Sequence, residues 1–332
     1  MTFILVRKLL RDVRPALVVV CLVLFVFAAF WVKITQRVTT ELAPMSRSIS
    51  KFALGSENVL EKLFIRGPTK ISQAALGWGE MNFDKPTDFL AIGMLHPIVL
   101  VLCLTWGVGR AAGAVAGELD RGTMELLVAQ PVPRNRLILA HFLADCVVIP
   151  TLCLSFFAGT QFGIWAVGDF VPDYKMLEDA AEESPVMKEV IRRVPRDPTP
   201  LPVSGMGELR GLVNTAAMVF AISGMTLAIS SAGRSRWKVV GYSVLVVVVM
   251  FVANTVGQLW EPVGWVRPLT LFFYYQPQKA MIDGEWMVDL NAAWNLGGPA
   301  LVPAGCVLLA VGLVGYGVAL RVFTRRDLPA PL

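Results

Sequence analysis

The chain has 332 residues, of which 55% are hydrophobic and only 17% charged, where an ordinary soluble domain carries about 45–50% and about 25%. Too few polar groups remain to cover the outside of a water-soluble fold of this size, so the long apolar runs belong in a bilayer. The net charge of +5 is scattered beside those runs and does not gather on one face, which argues against a nucleic-acid partner and makes the bases topology signals.

Six stretches reach the roughly 17–25 apolar residues that a helix needs to cross the hydrocarbon core, where lipid offers no partner to a free backbone group. Residues 1–14 carry Arg7, Lys8, Arg11 and Arg14 and read as an amphipathic helix along the membrane surface, basic side toward anionic lipid. The apolar run 15–32 is longer than a signal-peptide core and stays as a first span. The outer loop 33–88 spaces Ile49, Phe52, Leu60, Leu63 and Phe64 as one or two amphipathic helices would. A second span covers 89–109 and holds His96 beside Pro97. A polar segment over 116–130 separates it from a third span over 137–168.

A second outer loop, 169–210, is charged and ends in a Pro-rich stretch over 194–203, expected to be extended or irregular. Spans four and five follow at 211–233 and 239–260. The connection 261–289 is rich in Trp, Phe and Tyr, the composition of a chain that re-enters the headgroup layer, with an outer gate as its functional alternative. The last span lies at 297–320 with a kinked start, because Gly297, Gly298, Pro299 and Pro303 interrupt its first turns. The predicted fold class is therefore all-α, a six-span polytopic membrane protein in a single transmembrane domain, with an N-terminal amphipathic elbow and helical extracytoplasmic loops. Arg and Lys cluster in residues 7–14, 110–136, 234–238 and 321–326, all on one side if six spans exist, so both termini are expected to be cytoplasmic.

Other residue classes narrow the chemistry. Cys21, Cys103, Cys146, Cys153 and Cys306 sit inside apolar runs as small hydrophobes, and two histidines with no Cys-x-x-Cys pair make a metal site an unsupported reading. His141 and Asp145 share a face near the start of span three and read as a locally satisfied pair close to the interface. His96 reads as a packed imidazole at a kink, and Gln161, Asn214 and Asn254 as interhelical hydrogen-bonding groups. No Gly-x-x-x-x-Gly-Lys-Ser/Thr occurs, so the chain carries no phosphate loop and no cofactor of its own. No pair of catalytic-type residues recurs at matching depth in separate spans, which ranks an intramembrane enzyme low.

The densest information lies in residues 109–145. Gly109, Gly113 and Gly117 form a small-xxx-small stripe that serves either packing within the chain or contact with another subunit. After it, Glu118, Asp120 and Arg121 leave the membrane, Gly122 allows a turn, and Thr123 is placed to cap a short helix with Glu125 in its first turn. Leu126, Leu127 and Val128 add an apolar patch before Pro131 and Pro133 stop the helix. Such a segment is either a hairpin connector or a docking surface.

The string Ala-Gly-Glu-Leu-Asp-Arg-Gly-Thr-Met-Glu-Leu-Leu at 116–127, followed by Gln-Pro-Val-Pro-Arg at 130–134, resembles the segment between spans two and three of type-2 ABC exporter permeases. The ending Phe323-Thr324-Arg325-Arg326-Asp327 is similar to the tail after that family's sixth span, and the layout of elbow and six spans is similar too. The resemblance implies a permease half in a bacterial cytoplasmic membrane. Its partners would be a second copy or a homologous permease and a separate ABC ATPase that binds ATP and Mg2+. The coupling helix would map onto Glu118, Arg121, Gly122, Thr123, Glu125 and Leu126. The outer loops are longer than is usual in the family, which leaves room for an extracytoplasmic accessory protein. A membrane scaffold that assembles such a protein and conducts nothing is the alternative.

Overall fold

The computed structural model describes residues 2–44, 85–124, 129, 133–175, 178–179, 182, 184, 188–189 and 199–326. The helices expected around Ile49–Phe64, the first half of the Pro-rich stretch, and Glu125 and Leu126 lie outside them. Among the described residues, six helices are long and apolar enough to cross a membrane.

Helix α1, Thr2–Arg37, is about 54 Å long, well beyond the roughly 30 Å of a hydrocarbon core. It runs through Pro15 without a break, so the basic elbow residues are the first turns of the same helix that forms span one, and a π-helical turn, Val38–Leu42, extends it further. The second span is two pieces, α2 (Pro86–Leu95) and α3 (Pro97–Ala114). Pro97 forces His96 into extended geometry at the joint, φ −61° and ψ 134°. His96 Nδ1 accepts from the Ile98 N–H at 3.3 Å while its ring packs on Phe27 and Trp31, which matches the packed reading of that imidazole. After α3 come a short helix α4 (Ala116–Asp120), then α5 (Arg134–Val167), α6 (Glu208–Ala232) and α7 (Arg236–Leu259).

Residues 260–303 form a layer at the far end of the bundle. A 3-10 segment, Glu261–Leu269, leads into two short helices, α8 (Leu271–Tyr274) and α9 (Pro277–Ile282). An antiparallel hairpin of β1 (Met287–Asp289) and β2 (Leu301–Pro303) follows, with Val288 opposite Val302, and encloses helix α10, Asn291–Trp294. The last helix, α11, begins only at Ala304 and ends at Arg325. The expected start at 297 is thus corrected. Asn295 and Gly297 take left-handed backbone, φ 48° and 79°, and the prolines at 299 and 303 supply no N–H, so this stretch closes the hairpin and no kinked helix forms.

Two helix pairs dominate the packing, α1 with α5 and α6 with α11. Both depend on glycine. A Cβ on Gly159 would stand 2.3 Å from the Phe25 carbonyl oxygen, and one on Gly224 2.3 Å from that of Gly312. These are the small-residue contacts of the bundle. Helices α1 and α7, by contrast, leave one face uncovered along their length, with few fully buried residues.

Candidate functional site on the terminal face

With six crossings, both described ends, the α3–α4 corner and the α6–α7 turn share one face, here the terminal face. Helix α3 breaks at Val115, φ −119° and ψ −58°, where the N–H groups of the next turn lose their partners. Ser230 of α6 supplies one. Its Oγ accepts from Val115 N–H (3.3 Å) and Ala116 N–H (3.1 Å) and donates to the Ala112 carbonyl (3.1 Å). The short α4 then ends in a tight cap. Gly122 takes φ +69°, its N–H donates to the Leu119 carbonyl at 3.1 Å, and the Thr123 N–H donates to the Glu118 carbonyl at 3.0 Å. This is the Schellman pattern, in which glycine tolerates the left-handed position.

The side chains reinforce that cap. The Glu118 carboxylate pairs with Arg121 and accepts the Thr123 hydroxyl at 2.5 Å. The Thr123 hydroxyl thus closes the preceding turn, and the helix expected to follow it lies outside the described residues. Arg121 is about half exposed and Glu118 a quarter exposed, so the ion pair faces the water, where its net stabilisation is small. Its consequence is shape, a rigid acidic and basic corner. The structure thus brings Glu118, Arg121, Gly122 and Thr123 together, and Met124 is buried beneath them.

Part of the glycine stripe packs within the chain, against a side chain of α7. Gly109 meets nothing within 4 Å, and Gly113 and Gly117 face the Arg236 side chain at 3.9 and 3.5 Å. Arg236 lays its methylenes across the stripe, its guanidinium reaches the Gly109 carbonyl at 3.4 Å, and its N–H reaches the Asp120 carboxylate at 3.4 Å. The corner is thereby tied to the start of α7. The C-terminal end of α11 closes the same face, since Arg326 donates to the Ser231 and Gly233 carbonyls at 2.9 and 2.8 Å and accepts from Arg134 at 2.6 Å.

One turn inside the α3 break lies a constellation that sequence reasoning missed. His141 and Asp145 do not satisfy each other. The carboxylate instead meets Arg110 of α3: Nε donates to Oδ1 at 2.7 Å and Nη2 to Oδ2, while Nη2 also donates to the His141 carbonyl at 2.9 Å. Ser223 of α6 donates to Asp145 Oδ2 at 3.0 Å, and Tyr316 of α11 donates to the same oxygen. Four helices converge on one carboxylate, and the side chains of Arg110 and Asp145 are 8% and 2% exposed. A signal existed in the sequence: opposite charges lie at the edges of two neighbouring apolar runs. The span boundary drawn at 109 put Arg110 in a loop, whereas α3 continues to Ala114.

At the opposite end, Asn214 holds the 260–303 layer, donating to the Tyr274 carbonyl at 3.0 Å and accepting from Gln276 N–H at 2.9 Å. Tyr275 donates to the Met94 carbonyl at 3.1 Å, which the α2–α3 break had freed. Burial pushes the Tyr275 phenol up from its ordinary pKa, so it remains a donor at any physiological pH. The aromatic segment is therefore built into the bundle. Asn254 Oδ1 and Gln161 Nε2 are buried without a hydrogen-bond partner among the described residues.

Comparison with known proteins agrees with this architecture. The family model described as "ABC-2 family transporter protein" matches residues 6–328. Searches among curated proteins and among solved structures each return no match. The family match spans nearly the entire chain, all six membrane-spanning helices included, and the chain therefore belongs to the ABC-2 family of transporter proteins as an integral-membrane transport permease.

Proposed function

We infer that this permease is the membrane half of an ATP-driven exporter, moved by a separate ABC ATPase that docks on the terminal face, and that this face is cytoplasmic. The observation that carries the reading is the corner at 116–124. It is charged, water-facing and held rigid by the Gly122 cap and the Ser230 stitch, as a surface that receives a push must be. It also sits on the face where the Arg and Lys clusters collect, which fits the cytoplasm. ATP and Mg2+ belong to the ATPase partner, Glu125 and Leu126 extend the docking surface, and a second copy or a homologous permease completes the transporter against the uncovered faces of α1 and α7. The cargo leaves for the extracytoplasmic side.

Co-purification with an ABC ATPase tests this. The Glu118→Lys variant places a cation beside Arg121 and opens the corner, so retention of the ATPase is expected to weaken about tenfold, or ~1.4 kcal/mol, or hydrolysis to become uncoupled. Wild-type retention and turnover in that variant sink the assignment, and absence of any ATPase from the purified wild type favours the scaffold alternative.

A further inference from the structure

Arg110 and Asp145 carry a role that the docking corner alone does not explain. Helices α3 and α5 touch little along the rest of their length, so this ion pair is the principal link between the helix that bears the corner and the long third span. Glu118 lies eight residues beyond Arg110, just past the break at Val115. On its other side the carboxylate is held by Ser223 and Tyr316, and these two residues adjoin Gly224 and Gly315, where α6 and α11 make their closest backbone contact. The Tyr316 ring stacks on Phe220 at 5.1 Å and meets Phe142 edge-on at 5.2 Å. A single carboxylate therefore joins the corner's helix to the tightest contact of the bundle.

Stability alone does not account for such a joint, because a buried ion pair generally holds a fold no better than an apolar pair of the same volume. What it adds is fixed geometry. A two-pronged guanidinium–carboxylate contact fixes the orientation of the two helices that carry it, as a link that passes a displacement between distant sites must.

We propose that Arg110 and Asp145 are positioning residues for transport, the joint through which movement of the 116–124 corner is passed to α5, α6 and α11. This rests on the ATP-driven reading above. The test uses the full permease with its co-purified ATPase in nanodiscs, and follows ATP hydrolysis together with the change in amide hydrogen exchange over 271–282 on adding ATP and vanadate. The double variant Arg110→Met, Asp145→Leu removes both charges and leaves none buried alone, so the complex still assembles and hydrolyses ATP. Its ATP-dependent change at 271–282 falls at least about fivefold, the lower edge of usual coupling factors. A change of wild-type size in that variant overturns the joint and leaves the ATP-driven reading intact. If the double variant does not assemble, Tyr316→Phe, which deletes one hydrogen bond to Asp145, decides in its place: a reduced response supports the joint and a full response overturns it. No ATP response in the unmodified complex removes the coupling reading and the joint with it.

Discussion

At the residue scale, the informative side chains are those that repair backbone breaks. Ser230 satisfies two N–H groups that the break at Val115 leaves open, and its removal leaves them buried and unpaired, at a cost of about 1–3 kcal/mol. Ser230→Ala is therefore expected to lower the melting temperature of the purified permease by several degrees, with the largest loss of amide protection at 115–116. Unchanged protection there shows that the hydroxyl is dispensable. This residue was not legible in the sequence, where a serine late in an apolar span looks like any other small polar group. Gly122 was legible, because a glycine after Leu-Asp-Arg is where a left-handed residue belongs. The direction of the Thr123 hydroxyl was not, since the same residue serves the turn before it or the helix after it with equal local chemistry. Asp145 was seen as ionisable and given the wrong partner, since spacing along one helix suggests His141 and says nothing of Arg110, 35 residues away.

At the element scale, spans three, four and five came out close to their expected bounds, because long apolar runs flanked by charge leave a helix little choice. The first span runs longer and the last starts later. The first helix extends at both ends, through Pro15 and past Val32 to Leu42, and the late start of the last one reflects its prolines. Pro15 lies where the helix continues through it, while Pro299 and Pro303 end a hairpin whose pairing partner, Met287–Asp289, is local yet short enough to escape notice as a strand. The Gly109–Gly113–Gly117 stripe is legible from its spacing, but the closest backbone approaches occur at Gly159 and Gly224, whose role depends on which helix lies opposite. Gly159→Val would drive its Cβ into the Phe25 backbone and separate α1 from α5. We expect a loss of stability of about 1–3 kcal/mol or more, read as an earlier midpoint in detergent unfolding. Gly109→Val, facing open space, is expected to shift that midpoint by less than about 0.5 kcal/mol beyond its helix propensity. Equal effects of the two changes contradict the packing described.

At the scale of the whole molecule, the six crossings divide the chain into two unlike faces, and their difference predicts the sidedness. The terminal face gathers Arg7, Lys8, Arg11, Arg14, Arg121, Arg134, Arg136, Arg234, Arg236, Lys238, Arg321, Arg325 and Arg326 in short connections and chain ends, whereas on the opposite side the 260–303 layer carries only Arg267 and Lys279 and that side's remaining bases lie in the two longer connections, 33–88 and 169–210, where the charge rule weighs less. Positive charge is retained on the cytoplasmic side during insertion, and an ATPase can dock only there. Trp237 on the terminal face and Trp265 in the opposite layer are 78% and 56% exposed, so each accepts a reporter without disturbing a buried contact. With the five native cysteines replaced, Trp265→Cys in intact cells should react at once with a membrane-impermeant maleimide. Trp237→Cys should react only after the membrane is opened. The reverse pattern would place the 116–124 corner outside the cell, beyond the reach of any ATP-driven motor, and the coupling argument built on that corner would fall with it.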